Sequence, residues 1–497
     1  MSAKRNVRVL RAGLSHGMGA IVSAAALAAV IAWPALGQDD VVGRWDPPEG
    51  GYDWEVRAEH AVHLSTGKIL VWPNGNNAKL WDPGNGGFTD VPNEDHNLGC
   101  SGHTALANGS ILAAGGGGEE PGTASEKTSV FSLGPVPLSG PWQAVDPMFF
   151  PRWYPTCTAL PDGKVLAIGG SDAPLSQGGE FIPIPEVYDP GADLWYFPAL
   201  VIQPDDTWKL YPRMFLLPDG TVFFAGPGVP TWTFDLTDTW TFVGDSHFGG
   251  GADSAVTYEP GKVLKCGGTA GGDRTDVINL NQLIPAWVEV EQMEQVRRRH
   301  NLVMLPDGKI LAIGGEQWDE AMQTWVPVFP AEWFDPDPLF ETWQPLAVMT
   351  RPRAKHSTAV LLPDGRVLAC GGADDFPGEF TSKSGEIFSP PYLFWGERPV
   401  IGFAPTVIRY GTSFRVVLSA PAAPPPIGTV SLVRLGAVTH HFDQNQRYVP
   451  LTFTMAFENA LEVDAPANAN LAPPGYYMLF VVSQDGVPSV ATYVRLE

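Results

Sequence analysis

Seven times along the chain a short apolar run is followed by a Pro-Asp-Gly-like turn, a second apolar run and, in most copies, a Gly-Gly doublet. The copies start at His63 (HLSTGKILVW), Ala105 (ALANGSILAAGG), Ala159 (ALPDGKVLAIGG) and Leu216 (LLPDGTVFFAGP), and continue at Thr257 (TYEPGKVLKCGG), Met304 (MLPDGKILAIGG) and Leu361 (LLPDGRVLACGG). Short aliphatic and β-branched runs around a tight turn predict antiparallel hairpins. The turn glycines, Gly67, Gly109, Gly163, Gly220, Gly261, Gly308 and Gly365, lie 41 to 57 residues apart. That period predicts four-stranded blades of a β-propeller.

A second strand pair in several units has its own signature: KLWDPGNGGF from Lys79, EVYDPGADLW from Glu186, TWTFDLTDTW from Thr231 and EWFDPDPLFETW from Glu332. The Gly pair lets backbones approach closely and the aromatics pack between neighbouring blades. Together these features resemble the kelch motif. The expected fold is therefore all-β, a seven-bladed kelch-type propeller over residues 45–393. After Pro391 the repeat stops. A Pro-rich spacer at 420–426 interrupts about 100 residues of alternating strands, which predict an immunoglobulin-like β-sandwich over 396–497.

The first strand of each blade lines the propeller axis, so equivalent positions in different blades converge there. Counting back nine residues from each turn glycine gives Ala58, Cys100, Tyr154, Tyr211, Ala252, Arg299 and His356. Five chemically capable side chains are thus expected at one level of the axis.

Composition narrows the class. Gly 55, Pro 48, 11% aromatics and only 17% charged residues suit many short strands and exclude disorder. Residues 1–37 read as an export signal: Lys4, Arg5, Arg8 and Arg11, then apolar Ala20–Trp33, then Ala35-Leu36-Gly37 as a cleavage site. An uncleaved anchor is the alternative reading of that stretch. Its removal moves the formal charge from −23 to −27, which disfavours nucleic acid and anionic lipid as partners. The expected location is secreted or periplasmic, with no stable membrane insertion. Cys100, Cys157, Cys266 and Cys370 have no CxxC spacing, and Cys266 and Cys370 precede Gly-Gly doublets, so buried packing is expected for those two.

HNLGCSGH around Cys100, PRWYPTCTALPDG around Tyr154, RPRAKHSTAVLLPDG around His356 and VTHHFDQNQRYVPL around His440 resemble segments of the galactose oxidase and glyoxal oxidase family. The close of the chain, PPGYYMLFVVSQDGVPSVATYVRL, resembles that family's C-terminal domain, and Arg-Trp-Tyr is closer to glyoxal oxidase. The resemblance implies a copper-radical oxidase in which Cys100 and Tyr154 form a thioether. Tyr154, His356 and His440 would be metal ligands, with His441 as an adjacent alternative. Trp153, Tyr211, Arg213 and Arg299 would line the substrate mouth. Substrates would be small aldehydes, alcohols or carbohydrates, with O2 reduced to H2O2. Two imidazoles and a phenolate suit Cu(II).

The chain departs from the pattern at Lys355, which stands where the family has an axial tyrosine and so inherits the catalytic position. The tryptophan that stacks over the cofactor in galactose oxidase has no match after Gly170. Two other readings stay open: a catalytically silent carbohydrate- or partner-binding propeller, and a zinc site using Cys100 thiolate with His356 and His440.

Overall fold

The computed structural model describes residues 39–132, 141–198, 202–207, 209–251, 253–372, 382–419, 425–457 and 459–497. The export signal expected over 1–37, Ala252 and most of the Pro-rich spacer lie outside them. Four-stranded antiparallel blades span 60–90, 102–145, 156–196, 214–245, 254–289 and 301–348. The seventh is built from Ser357–Leu361, Val367–Gly371 and Gly385–Ser389, and its fourth strand is Arg44–Asp46 from the start of the described chain. This closure was not foreseen, because the repeat carries no trace of a three-residue strand more than 300 residues away.

Strand burial falls toward the rim, and the second strand of each blade, covered on both faces, reads as a largely apolar run. Ile69–Trp72 is wholly buried, whereas Phe88–Asp90 at the rim of the same blade is half-buried to exposed. The repeated turn has a local cause. Asp162 accepts the Lys164 main-chain N–H at 3.1 Å, and Gly163 supplies φ +84°. The doublets answer a different need. A Cβ on Gly371 would stand 2.5 Å from the Ala58 carbonyl oxygen of the next blade. The rim tryptophans bind each blade to its predecessor: Trp195 Nε1 donates to Thr128 Oγ1 (3.1 Å), Trp287 to Thr231 (3.2 Å) and Trp343 to Thr275 (3.0 Å).

The C-terminal sandwich packs a four-stranded sheet against a five-stranded one around a core that includes Val416, Leu432, Leu461 and Leu479. It is not separate from the propeller, because residues 38–497 form one compact unit. Between Ile427–Arg434 and Tyr448–Leu451 the chain leaves the sandwich and enters the propeller axis. There Ala437–Thr439 pairs with the innermost strand of the first blade, in the register His60↔Thr439. The rest of this loop meets polar groups that the inner strands leave unpaired. Gln444 Oε1 accepts the N–H groups of His103 (3.1 Å) and Cys157 (2.9 Å), and Arg447 donates to the Leu216 carbonyl (2.6 Å).

Candidate active site

The counted axial positions share an unusual backbone. Cys100, Tyr154, Tyr211, Arg299 and His356 all adopt positive φ, between 45° and 66°. Non-glycine residues rarely take this left-handed conformation, which costs about 1–3 kcal/mol and collects at functional sites. Here it turns the chain sharply just before each inner strand. Successive turns are linked, since Tyr154 N–H donates to the Cys100 carbonyl (3.0 Å) and Tyr211 N–H to the Tyr154 carbonyl (2.8 Å).

His440 and His441 occupy the two central places of the hairpin that Thr439 and Phe442 close, at φ 48° and 61°. A two-residue turn with both φ positive normally takes Asn-Gly. Two histidines there are strained, and the strain is held by the surrounding sheet. The turn delivers His440, with its Nε2 2.8 Å from the Tyr154 hydroxyl. The His356 and His440 rings meet edge to face at 4.6 Å. Cys100 lines the same cavity as Tyr154 and His356, close enough for Cys100 and Tyr154 to act on each other's ionisation.

Tyr154 lies in a stack of three rings. Trp153 covers one face at 3.8 Å and 12°, and Tyr211 lies against the ring at 4.6 Å and 20°. A stacking tryptophan is therefore present, and it comes from the residue before Tyr154 rather than from the segment after Gly170. Tyr211 lies below Tyr154 and not at the mouth. It is buried and its hydroxyl donates to the Ser101 carbonyl at 3.0 Å.

Arg213 is also no mouth residue. Its buried guanidinium donates to the carbonyls of Tyr211 and Asp253, each at 2.7 Å. Arg299 is half-buried and pairs with Glu316 at 3.1 Å. A cavity of about 390 Å³ opens above the stack, lined by Cys100, Trp153, Tyr154, Lys355 and His356, with Glu120 and Gln177 at its side.

Burial sets the electrostatics. It pushes the Cys100 thiol up to about 12, against the smaller effects of Tyr154 and Trp153. It also drives the Tyr154 hydroxyl well above its ordinary value, with Cys100 adding to the effect. His440 is held well below the usual imidazole range by burial first, then by His356 and Lys355. Glu59, one residue beyond the counted Ala58, is buried beside this group, and its charge acts on Cys100, Tyr154 and Tyr211. It escaped the count because only one residue per blade was carried to the axis.

The C-terminal segment 398–496 matches the family described as "Galactose oxidase-like, Early set domain". The chain is 29% identical to a galactose oxidase of Gibberella zeae, over 92% of this chain and 71% of that one. It is 33% identical to the aldehyde oxidase GLOX of Vitis pseudoreticulata, over 69% of this chain and 72% of the relative. The chain belongs to the galactose oxidase/glyoxal oxidase family. A fungal alcohol oxidase of the AA5 family, solved in complex with copper, superposes with a TM-score of 0.77 at 27% identity, over 92% of this chain and 99% of that structure.

In this member of the family no three His, Cys, Asp or Glu side chains gather in a metal-binding arrangement among the described residues. Cys100, His356 and His440 are thus not grouped as the zinc reading requires. A metal at this level of the axis requires the Tyr154 oxygen beside the two imidazoles. Tyr154 and His440 already stand at the spacing that two adjacent donors take when each lies about 2.0 Å from a divalent ion. The donor set fits copper.

Proposed function

We propose that this chain is an exported copper-radical oxidase acting on small primary alcohols or aldehydes, with hydrogen removed from the substrate and O2 reduced to H2O2. The observation that carries the reading is the 2.8 Å approach of His440 Nε2 to the Tyr154 hydroxyl, with Cys100 and His356 facing the same cavity. Tyr154, His356 and His440 would hold the ion. Copper supplies one electron acceptor of the two that the oxidation needs, and a Tyr154 joined to Cys100 by a thioether is the other.

The protein's own groups do the remaining work. Trp153 covers the Tyr154 ring and keeps water from that face. Tyr211 supports the opposite side of the stack. Lys355 lines the cavity next to His356, where the family pattern has tyrosine, and its charge reaches Cys100 and His440. It would accept the substrate's hydroxyl proton in its neutral amine form, after the ammonium has given up its own. Export rests on the basic and apolar pattern of residues 1–37, and no helix among the described residues is long and apolar enough to cross a membrane.

The test is peroxide release from copper-loaded protein across aldehydes, primary alcohols and sugars. Wild type should produce H2O2, Lys355→Met should lose the activity, and Lys355→Tyr should retain or raise it on glyoxal-like aldehydes. Silence of both wild type and Lys355→Tyr would overturn the oxidase reading. It would favour the second one, a silent carbohydrate- or partner-binding propeller, for which Lys355 itself is the observation.

A further inference from the structure

A neutral imidazole has one ring hydrogen, and the groups around His440 decide which nitrogen carries it. Its Nδ1 lies 2.7 Å from the Thr439 hydroxyl and its Nε2 2.8 Å from the Tyr154 hydroxyl. The Thr439 hydroxyl has a single hydrogen to give. It donates to the main-chain carbonyl of Glu59 at 3.0 Å, and a carbonyl oxygen only accepts. The hydrogen of nearby Tyr211 is likewise committed, to the Ser101 carbonyl at 3.0 Å. No hydrogen is left on Thr439 for His440, so Thr439 must accept from Nδ1–H. Nε2 then has a free lone pair, which receives the Tyr154 O–H.

We infer that Thr439 is a positioning residue that fixes His440 as the Nδ1–H tautomer and so presents the bare Nε2 to the metal position. The inference rests on the reading of His440 as a ligand. Thr439 is well held for this task. It is buried, it pairs with His60 across the sheet, and it is the last strand residue before the strained His440-His441 turn. Main-chain geometry therefore fixes the hydroxyl that fixes the ring. Valine at this place keeps the β-branched shape and strand preference but cannot accept. It would leave Nδ1–H buried without a partner, and the ring would escape by moving its hydrogen to Nε2, which blocks the ligand atom. Serine would preserve the hydroxyl.

Selective isotope labelling of histidine tests this in the copper-free protein by NMR, with His440→Ala assigning the resonance. The expected result is Nδ1–H for His440 in wild type and Thr439→Ser, and Nε2–H in Thr439→Val. Copper titration of the same proteins should show affinity about 10- to 100-fold weaker in Thr439→Val, the range typical for the loss of a group that orients a metal ligand. Thr439→Ser should stay close to wild type. Nε2–H in wild type overturns the inference, and so does a Thr439→Val protein with unchanged tautomer and affinity. If His440→Ala leaves copper affinity unchanged, the ligand assignment itself falls and the inference with it, an outcome separable from the first two because the NMR signal does not involve copper.

Discussion

Blades three and six are built on one plan and lead to different chemistry. Each carries a wholly buried arginine two residues before its axial position, Arg152 and Arg297. Each arginine donates at 2.8 Å to the carbonyl of the first doublet glycine, Gly169 or Gly314, and pairs with a buried glutamate of the third strand, Glu186 or Glu332. Each axial residue is left-handed, Tyr154 at φ 65° and Arg299 at φ 56°.

From there the blades diverge. Tyr154 enters the ring stack and meets His440, which the sandwich delivers. Arg299 turns to Glu316, at the base of an added hairpin whose Trp325 lies under the Arg298 guanidinium. The scaffold presents a side chain at the axis equally well in both blades. Under the proposed function, chemistry arises where the presented residue meets the C-terminal turn.

The sharpest test of that contrast removes one oxygen. Tyr154→Phe should lower peroxide formation by at least about 10⁴-fold, or roughly 5.5 kcal/mol, while leaving the unfolding midpoint within a few degrees. A fall in stability of comparable size would mean that Tyr154 serves mainly to pack the axis.

Next come the clamps. Arg152→Met and Arg297→Met each strand a buried carboxylate, so each should cost about 3–5 kcal/mol in denaturant unfolding. Similar costs would support the shared plan, and a loss confined to one blade would break it.

Acid provides the third test. Buried His63 bridges the Leu361 carbonyl (2.9 Å) and the Tyr493 hydroxyl (2.8 Å), tying two blades to the sandwich that carries the His440 turn. Burial lowers it to about 4. The folded state resists its protonation, so its stabilising contribution is complete above about pH 6.5 and is lost as pH falls toward 4. Up to roughly 3 kcal/mol is involved. Thermal unfolding should weaken over that window in one transition, and His63→Gln should flatten the slope. Two separate transitions would show that the sandwich detaches and the axis does not act as one unit.

The smallest effect is expected at blade six. Arg299→Asn tolerates the left-handed backbone, and Arg298 still pairs with Glu316 at 2.7 Å. Stability should change by less than about 1 kcal/mol and peroxide formation by less than about threefold. A large rise in KM would place Arg299 at the substrate after all.

Much of this was legible in the chain because the repeat keeps a constant nine-residue offset between turn glycine and axial residue. Cys100, Tyr154 and His356 were reached by that count, and the family segments supplied His440. What the count lacked was direction. Tyr211 carries the same signal as Tyr154, yet it is buried and its hydroxyl is held by a carbonyl that no pattern announces. Trp153 stacks because the left-handed turn at Tyr154 brings neighbouring rings face to face, a consequence of φ and not of spacing. The Arg44–Asp46 closure of blade seven depends on a strand remote in sequence with no repeat signature.

If Cys100, Tyr154, His356 and His440 form one redox centre, the covalent state of the first two will show it. Peptide mapping of copper-loaded, air-exposed protein should recover the Cys100 and Tyr154 peptides joined and lighter by two hydrogens, about 2 Da, than their sum. The joined species should be absent in His440→Ala. Fully copper-loaded wild type that yields the two peptides separate and unmodified would mean that these four residues do not form such a centre.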